Sequence, residues 1–158
     1  MVLICTKTVP AMTSVPEGFH LTREFDPITA ACAPTYLRDA GAEGLWLGFE
    51  VTASHCNPRG HCHGGVWATL ADVLLGLTVG LKSGLGGPTI NLTLDFLGAA
   101  AEGQWVEGRA RLLRQTPRMG FAECLFTADG EPALRASGIF RRKDPGGTFE
   151  EMIVGPSR

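Results

Sequence analysis

Apolar residues follow two rhythms along this chain, and the places where one gives way to the other divide it. From Leu45 to Ala53, Leu45, Leu47, Phe49 and Val51 alternate with Trp46, Gly48, Glu50 and Thr52, the period of two expected of a strand. Residues 55–82 break that rhythm. A polar approach rich in His, Asn and Gly leads into Val66, Trp67, Leu70, Ala71, Val73, Leu74, Leu75, Leu77, Val79 and Leu81, which fall on every side of a helix. Such a helix is expected to be buried nearly all round. From Thr89 the period of two returns, with Ile90, Leu92, Leu94 and Phe96 on one face and Thr89, Asn91, Thr93 and Asp95 on the other. Further strands are predicted at 35–38, about 104–115, 119–128 and 133–142. Residues 41–44 read as a turn, 83–88 as a breaker and Asp129-Gly130 as a hairpin turn.

Two strands, one long helix and four strands on short connections make an α+β domain. Short links force antiparallel pairing, so about six antiparallel strands are expected to wrap one central helix. One helix cannot cover both faces of such a sheet. Its bare face or its edge therefore invites a second subunit. The predicted domain spans 19–143, with 19–33 a short helix or irregular cover. Residues 1–18, with Pro10, Pro16 and Gly18, read as a mobile arm, most of which a start at Met12 would remove. Asp144-Pro145-Gly146-Gly147 opens a polar tail over 144–158, expected to be loosely held.

Composition narrows the classes of function. With 44% apolar and 19% charged residues, the chain has an ordinary soluble make-up, and 158 residues suit one core. A net charge of −2 provides no general attraction to nucleic acid or anionic lipid, so an anionic ligand needs a local basic cluster. The helix has about the length of a membrane span, but Asp72 within it and the strands after it argue for a soluble core. The apolar run from Val2 to Cys5 is too short for a signal peptide. Five scattered cysteines form no secreted disulfide framework and are expected to be reduced thiols in the cytoplasm.

The candidate chemistry lies in 55–89. A carboxylate in an apolar helix costs free energy unless it is bonded, paired or used. Asp72 could be a general base or a nucleophile towards an acyl carbon, or simply be tied to a hydroxyl such as Thr69 or paired with an arginine. Gly64-Gly65 opens the helix, where the first N–H groups lack intrahelical partners and could hold an oxyanion; a tight loop junction is the plainer reading. Gly64 and Asp72 are eight residues apart, about 12 Å along a helix, whereas a reacting carbonyl must lie about 3 Å from both groups. One helix cannot serve both ends of one substrate. Two antiparallel helices in a two-fold dimer can, so acyl transfer would require a site shared between subunits.

The other candidates carry plainer alternatives. Asn57 before Pro58 is also a good turn residue, and His63 could cap or pack. His55, Cys56, His61, Cys62 and His63 have spacings that fit no usual zinc pattern, so no metal is expected. Nothing orients or activates Cys62 as a nucleophile. Arg114 and Arg118 flank the Gln115-Thr116-Pro117 turn and could grip phosphate, with Arg111 and Lys82 in reserve. Each is also compatible with a solvated strand end, and Trp67 and Phe96 with core.

Asn57, Gly60, His63-Gly64-Gly65 and Leu70-Ala71-Asp72, followed by Thr89-Ile90-Asn91-Leu92, resemble the hotdog-fold thioesterases, in particular the PaaI-like acyl-CoA branch. The resemblance covers about residues 34–142, including the element order. It implies a hotdog fold and hydrolysis of acyl-CoA, with CoA as part of the substrate and no bound cofactor. It implies too that Asp72 activates water or attacks the thioester, that the Gly64 N–H holds the thioester oxygen, and that Asn57 and His63 shape the site. Thr89 falls where some relatives position water, and Gly65 would touch substrate. Relatives form homodimers, often paired into tetramers. His61 is outside the usual pattern. A non-catalytic acyl-CoA binder and an acyl-thioester dehydratase or hydratase are the alternatives; against the latter, His55 lies seventeen residues before Asp72 with no Pro-Gly helix entry.

Overall fold

The computed structural model describes residues 15–24 and 26–154. In chain order, β1 (His20–Leu21), α1 (Pro27–Ala31), β2 (Tyr36–Asp39) and β3 (Leu45–Glu50) precede the long helix α2 (Gly64–Ser83). There follow β4 (Leu85–Gly86), β5 (Thr89–Phe96), β6 (Trp105–Gln115), β7 (Met119–Ala128), β8 (Glu131–Arg141), β9 (Asp144–Pro145) and α3 (Phe149–Met152). Seven strands form one antiparallel sheet in the order β1-β2-β3-β6-β7-β8-β5, one more than expected because the two-residue β1 pairs with β2. So short a strand leaves no period of two to read. The third strand ends at Glu50 rather than Ala53, because residues 53–55 turn into a single 3-10 turn closed by Thr52 and His55.

The sheet curls around α2, and the core lies between them. Trp67, Leu70, Ala71, Leu74, Leu75, Thr78 and Val79 of α2 are buried against Leu47, Phe49, Val106, Phe126, Leu134 and Phe140 of the strands. Trp67 packs edge-on against both Phe49 and Phe126. The expectation of a helix buried nearly all round is corrected. One face is sealed, while Thr69, Asp72, Val73, Gly76 and Leu77 remain half-buried. Val66, Val73, Leu77 and Leu81 border the core without entering it.

The two edges of the sheet differ. β1 is covered by the end of the chain: Val154 N–H donates to the Leu21 carbonyl at 2.7 Å and Arg23 N–H to that of Met152 at 2.9 Å. The loosely held tail is therefore corrected over residues 144–154. β9 pairs with β4, and Ile153 enters the core. The crossing over α2 is so close that a Cβ on Gly146 would lie 2.1 Å from the Gly80 carbonyl oxygen. The tail's polar sequence hid this because three residues, Phe149, Met152 and Ile153, do the packing. Residues 15–18 are described as irregular chain with a turn at residues 17–18; the rest of the predicted arm, Met12 included, lies outside the described residues. β5, at the other edge, carries exposed Ile90 and Phe96, followed by exposed Leu97.

Candidate active site

Asp72 sits on the open face of α2, half-buried rather than enclosed. Among the described residues its partner is neither Thr69, whose hydroxyl donates to the Gly65 carbonyl, nor an arginine. The Thr89 hydroxyl donates to Asp72 Oδ1 at 2.7 Å. A simple period of two would set Thr89 on the outer face with Asn91 and Asp95. The pairing of β5 with β8 slips between Thr89 and Asn91, which leaves Ile90 as an extra residue. That bulge returns Thr89 to the helix side, beside buried Phe140, its register partner. The placement of Thr89 on the same face as Asn91 is thus corrected, and its pairing with Asp72 follows from the same slip.

Around this pair lies a shallow depression of about 350 Å³, bordered by Asp26, Thr29, Val73, Leu77, Pro88 and Phe140. Asp26 and Thr29 have no counterpart in the sequence reading. Asp26 caps α1, its Oδ1 accepting from the Ile28 and Thr29 N–H groups, and that helix lies against α2. Beyond Thr29, Val73 and Leu77, which border both spaces, opens a second groove of about 550 Å³ walled by Leu21, Pro34, Leu47 and Leu70.

The N-terminus of α2 is built differently. His63 is its N-cap and its Nδ1 accepts from the Gly65 N–H at 2.8 Å, so Gly65 has no free donor to offer a substrate through its backbone. The Val66 and Trp67 N–H groups turn back to the His63 carbonyl. Among the described residues, the Gly64 N–H is the first-turn donor left without a partner. A Cβ on Gly65 would press on the His63 ring at 3.0 Å, whereas one on Gly64 would make an ordinary 3.5 Å contact with Phe96. Packing within the chain therefore does not require glycine at 64; close approach by another molecule would.

Asn57 performs the turn role of its plainer reading, its Oδ1 accepting from the Arg59 N–H at 2.9 Å. His55 is fully buried with Nδ1 accepting from the Thr52 N–H at 3.1 Å. Burial holds its pKa below the ordinary value, partly offset by the carbonyls of Cys32 and Glu50. Burial likewise pushes the Cys62 thiol up to about 12, far from a nucleophile at neutral pH. Among the described residues, no three His, Cys, Asp or Glu side chains converge as a metal-binding group.

Arg114 and Arg118 stand exposed at the β6–β7 hairpin. The reserves are engaged: Arg111 pairs with Glu123, and Lys82 with Asp39 at 2.6 Å. The hairpin lies beyond Thr89 along the sheet, since Arg142 N–H donates to the Arg118 carbonyl and Arg141 N–H to that of Pro88.

Gly64 and Asp72 stay on one helix, and they are not brought together. Phe96 at the end of β5 touches the space at Gly64, and Thr89 at its start holds Asp72. The two candidate groups thus flank opposite ends of the open edge strand.

Comparison with known proteins agrees with this architecture. Residues 59–133 match the family model described as the thioesterase superfamily. A protein of Pseudomonas aeruginosa named as an esterase is 34% identical over 131 residues, spanning 82% of this chain and 98% of its own. In structure, the E. coli PaaI protein from the phenylacetic acid degradation operon superposes with a TM-score of 0.69, at 20% identity, over 77% of this chain and 87% of that one. A thioesterase protein of Streptococcus pneumoniae, solved with coenzyme A, gives a TM-score of 0.65, at 20% identity, over 70% of this chain and 87% of that one. These structures share the hotdog fold: an antiparallel sheet around one long helix. With a sequence relative matched over almost its whole length and a family model matched across the helix and the strands after it, the chain belongs to the thioesterase superfamily.

Proposed function

We propose that this chain is a cytoplasmic acyl-CoA thioesterase whose two active sites form when two copies pair through β5. The observation that carries this reading is the placement of the half-sites: Asp72 with Thr89 at one end of β5, and the free Gly64 N–H with Phe96 at the other. Antiparallel pairing of β5 with its symmetry mate, about a two-fold near Leu92 or Thr93, sets each Asp72 beside the other subunit's Gly64. Because the side-chain period is two, the axis must pass through a residue position for both helices to lie on the same face. Further pairing of dimers into a tetramer is compatible with this arrangement.

In this arrangement the thioester carbonyl lies between the helix start of one copy and Asp72 of the other. Asp72 either removes a proton from an attacking water or adds directly to the carbonyl carbon. The Thr89 hydroxyl fixes the carboxylate and can orient water. As the tetrahedral intermediate forms, the Gly64 N–H receives its oxygen with the positive helix end behind it. Collapse expels the CoA thiolate and leaves the carboxylate product. Asn57 and His63 hold the loop and cap that aim Gly64, and Gly65 serves by allowing the His63 ring to close. Arg114 and Arg118 would take CoA phosphates. The groove over Leu47, Leu70, Val73 and Leu77 suits an apolar acyl group. No metal or redox cofactor is needed. The Streptococcus pneumoniae protein solved with coenzyme A supports this ligand class.

The test is thiol release across acyl- and aryl-CoA substrates. Asp72→Asn should lower kcat by about 10²–10⁴-fold, the usual scale for a lost general base. Gly64→Pro should lower it by about 10²–10³-fold. Proline removes the N–H at a helix position it favours, and His63, at φ −67° and ψ 140°, already has the backbone that a following proline requires. Mixed after unfolding and refolding, the two inactive chains should regain about a quarter of wild-type activity. Half of the dimers would be mixed, each with one intact site of two. Mixtures as inactive as their components would exclude a shared site, and a fully active Asp72→Asn chain would exclude the mechanism.

A further inference from the structure

The loop from Cys56 to Cys62 leaves a short antiparallel ladder and returns to it. Asn57 N–H donates to the His61 carbonyl at 2.7 Å on one side of the Cys56–Cys62 pair, and His63 N–H to the His55 carbonyl at 2.8 Å on the other. Hydrogen bonds thus flank the two cysteines instead of joining them. In such a non-hydrogen-bonded pair the side chains project to the same side from Cα atoms about 4.5 Å apart. Disulfides span Cα separations of about 4.4–6.8 Å. Cys62 belongs to the core and Cys56 packs against it, and both are free thiols. The Cys56 thiol has only a weak link, to the Thr52 carbonyl at 3.4 Å.

We propose that Cys56 and Cys62 form an oxidation site, which a small aliphatic disulfide converts to an intramolecular bond that fastens the loop leading into His63 and Gly64. The more exposed Cys56 reacts first. It loses its proton to solvent, and its sulfur attacks one sulfur of the reagent R–S–S–R. The products are Cys56–S–S–R and one thiolate, which takes up a proton. Cys62, deprotonated in turn, attacks the Cys56 sulfur and expels the second R–S⁻, which is also protonated. Two protein thiols are oxidised, and one small disulfide is reduced to two thiols.

Both protein thiols resist ionisation: Cys62 through burial and its neighbours Cys56 and Cys32, Cys56 through burial and the charge of Glu102. Closure is therefore slow at neutral pH and accelerates by about tenfold per pH unit while thiolate remains scarce. The ring so formed encloses the Asn57 turn and Gly60, directly before the N-cap of α2.

The full-length chain, incubated with oxidised glutathione at pH 8.5 and quenched with acid, is mapped by mass spectrometry without reduction. The expected product is a Cys56–Cys62 cross-link that retains no glutathione, with a melting midpoint a few degrees above that of the reduced chain. Cys62→Ser should hold one glutathione on Cys56, and Cys56→Ser should be modified at Cys62 at least tenfold more slowly. A wild-type Cys56–glutathione adduct that never closes would overturn the proposal. So would a cross-link mapping to other cysteines, or native protein that stays unmodified while its unfolded form reacts.

Discussion

The two edges of the sheet face the same problem and meet it differently. β1 has only two residues, and the chain covers it with its own end, through Val154 on Leu21 and Thr22 opposite Ile153. β5 has eight residues, with Ile90 and Phe96 exposed, and among the described residues no strand pairs with its outer edge. A bare, apolar edge of that length is a template for pairing with another chain. The half-sites sit against the open edge, Thr89 with Asp72 at one end and Phe96 by Gly64 at the other. The covered edge carries none of this chemistry. One edge therefore completes the fold, and on the proposed reading the other completes the site.

The comparison breaks most sharply at β5. Thr93 is exposed near the centre of the strand, so Thr93→Arg costs the single chain little while setting like charges together across the two-fold. In dilute solution, activity per chain should fall by about 100-fold, the scale of losing the Gly64 donor, and it should recover as protein concentration rises. Sedimentation and activity should follow one another. A variant that sediments as a monomer and stays fully active would detach the open edge from the site.

The covered edge should respond in the opposite way. In Gly146→Ala the new Cβ would be driven into the Gly80 carbonyl, 2.1 Å away, and the tail would have to lift. Overpacking of this kind typically costs about 1–3 kcal/mol. Denaturant titration should show that loss, while the association constant and kcat stay near wild type. A loss of dimer in this variant would show that the two edges are not independent.

Within the open edge, Thr89 separates a positioning role from a purely packing one. Thr89→Val keeps the shape and removes the hydroxyl that donates to Asp72. A fall of about tenfold in kcat is expected, with the dimer intact and activity largely restored by Thr89→Ser; a single modest hydrogen bond is of that order. Equal activity in the Val and Ser variants would reduce Thr89 to packing.

Much of this was legible in the sequence. The change from period two to an all-apolar run locates α2, and on the proposed reading the eight-residue gap from Gly64 to Asp72 calls for a partner helix. What escaped depended on long-range placement. The Ile90 bulge, which turns Thr89 towards Asp72, leaves no trace in an alternation that reads cleanly through it. The half-exposure of Asp72 does not show in the sequence because hydrophobic Val73 and Leu77 read as core, whereas they line the grooves beside it. Asp26 caps, and Thr29 belongs to, a five-residue helix whose position over α2 no local pattern records. The tail packs through three apolar residues set among polar ones.

The smallest expected effect concerns what holds the proposed oxyanion end, the start of α2, in place. His55 is fully buried, and its carbonyl accepts from the N–H of His63, the cap of α2. Its imidazole stays neutral because burial lowers its pKa from the ordinary 6.5. In the unfolded chain it binds a proton near 6.5, while in the folded chain it does so only at lower pH. Over that interval the unfolded state carries more protons, so stability falls as pH drops below 6.5 and this group contributes no slope well above it. One proton limits the slope to about 1.4 kcal/mol per pH unit. Melting midpoints of wild type should therefore decline from pH 7 to pH 5.5 more steeply than those of His55→Leu, which lacks the titrating ring but starts from a lower midpoint. If the two curves run parallel, the ring is not kept neutral by the interior. The oxyanion end would then owe its fixed position to the open edge and its partner rather than to the closed core.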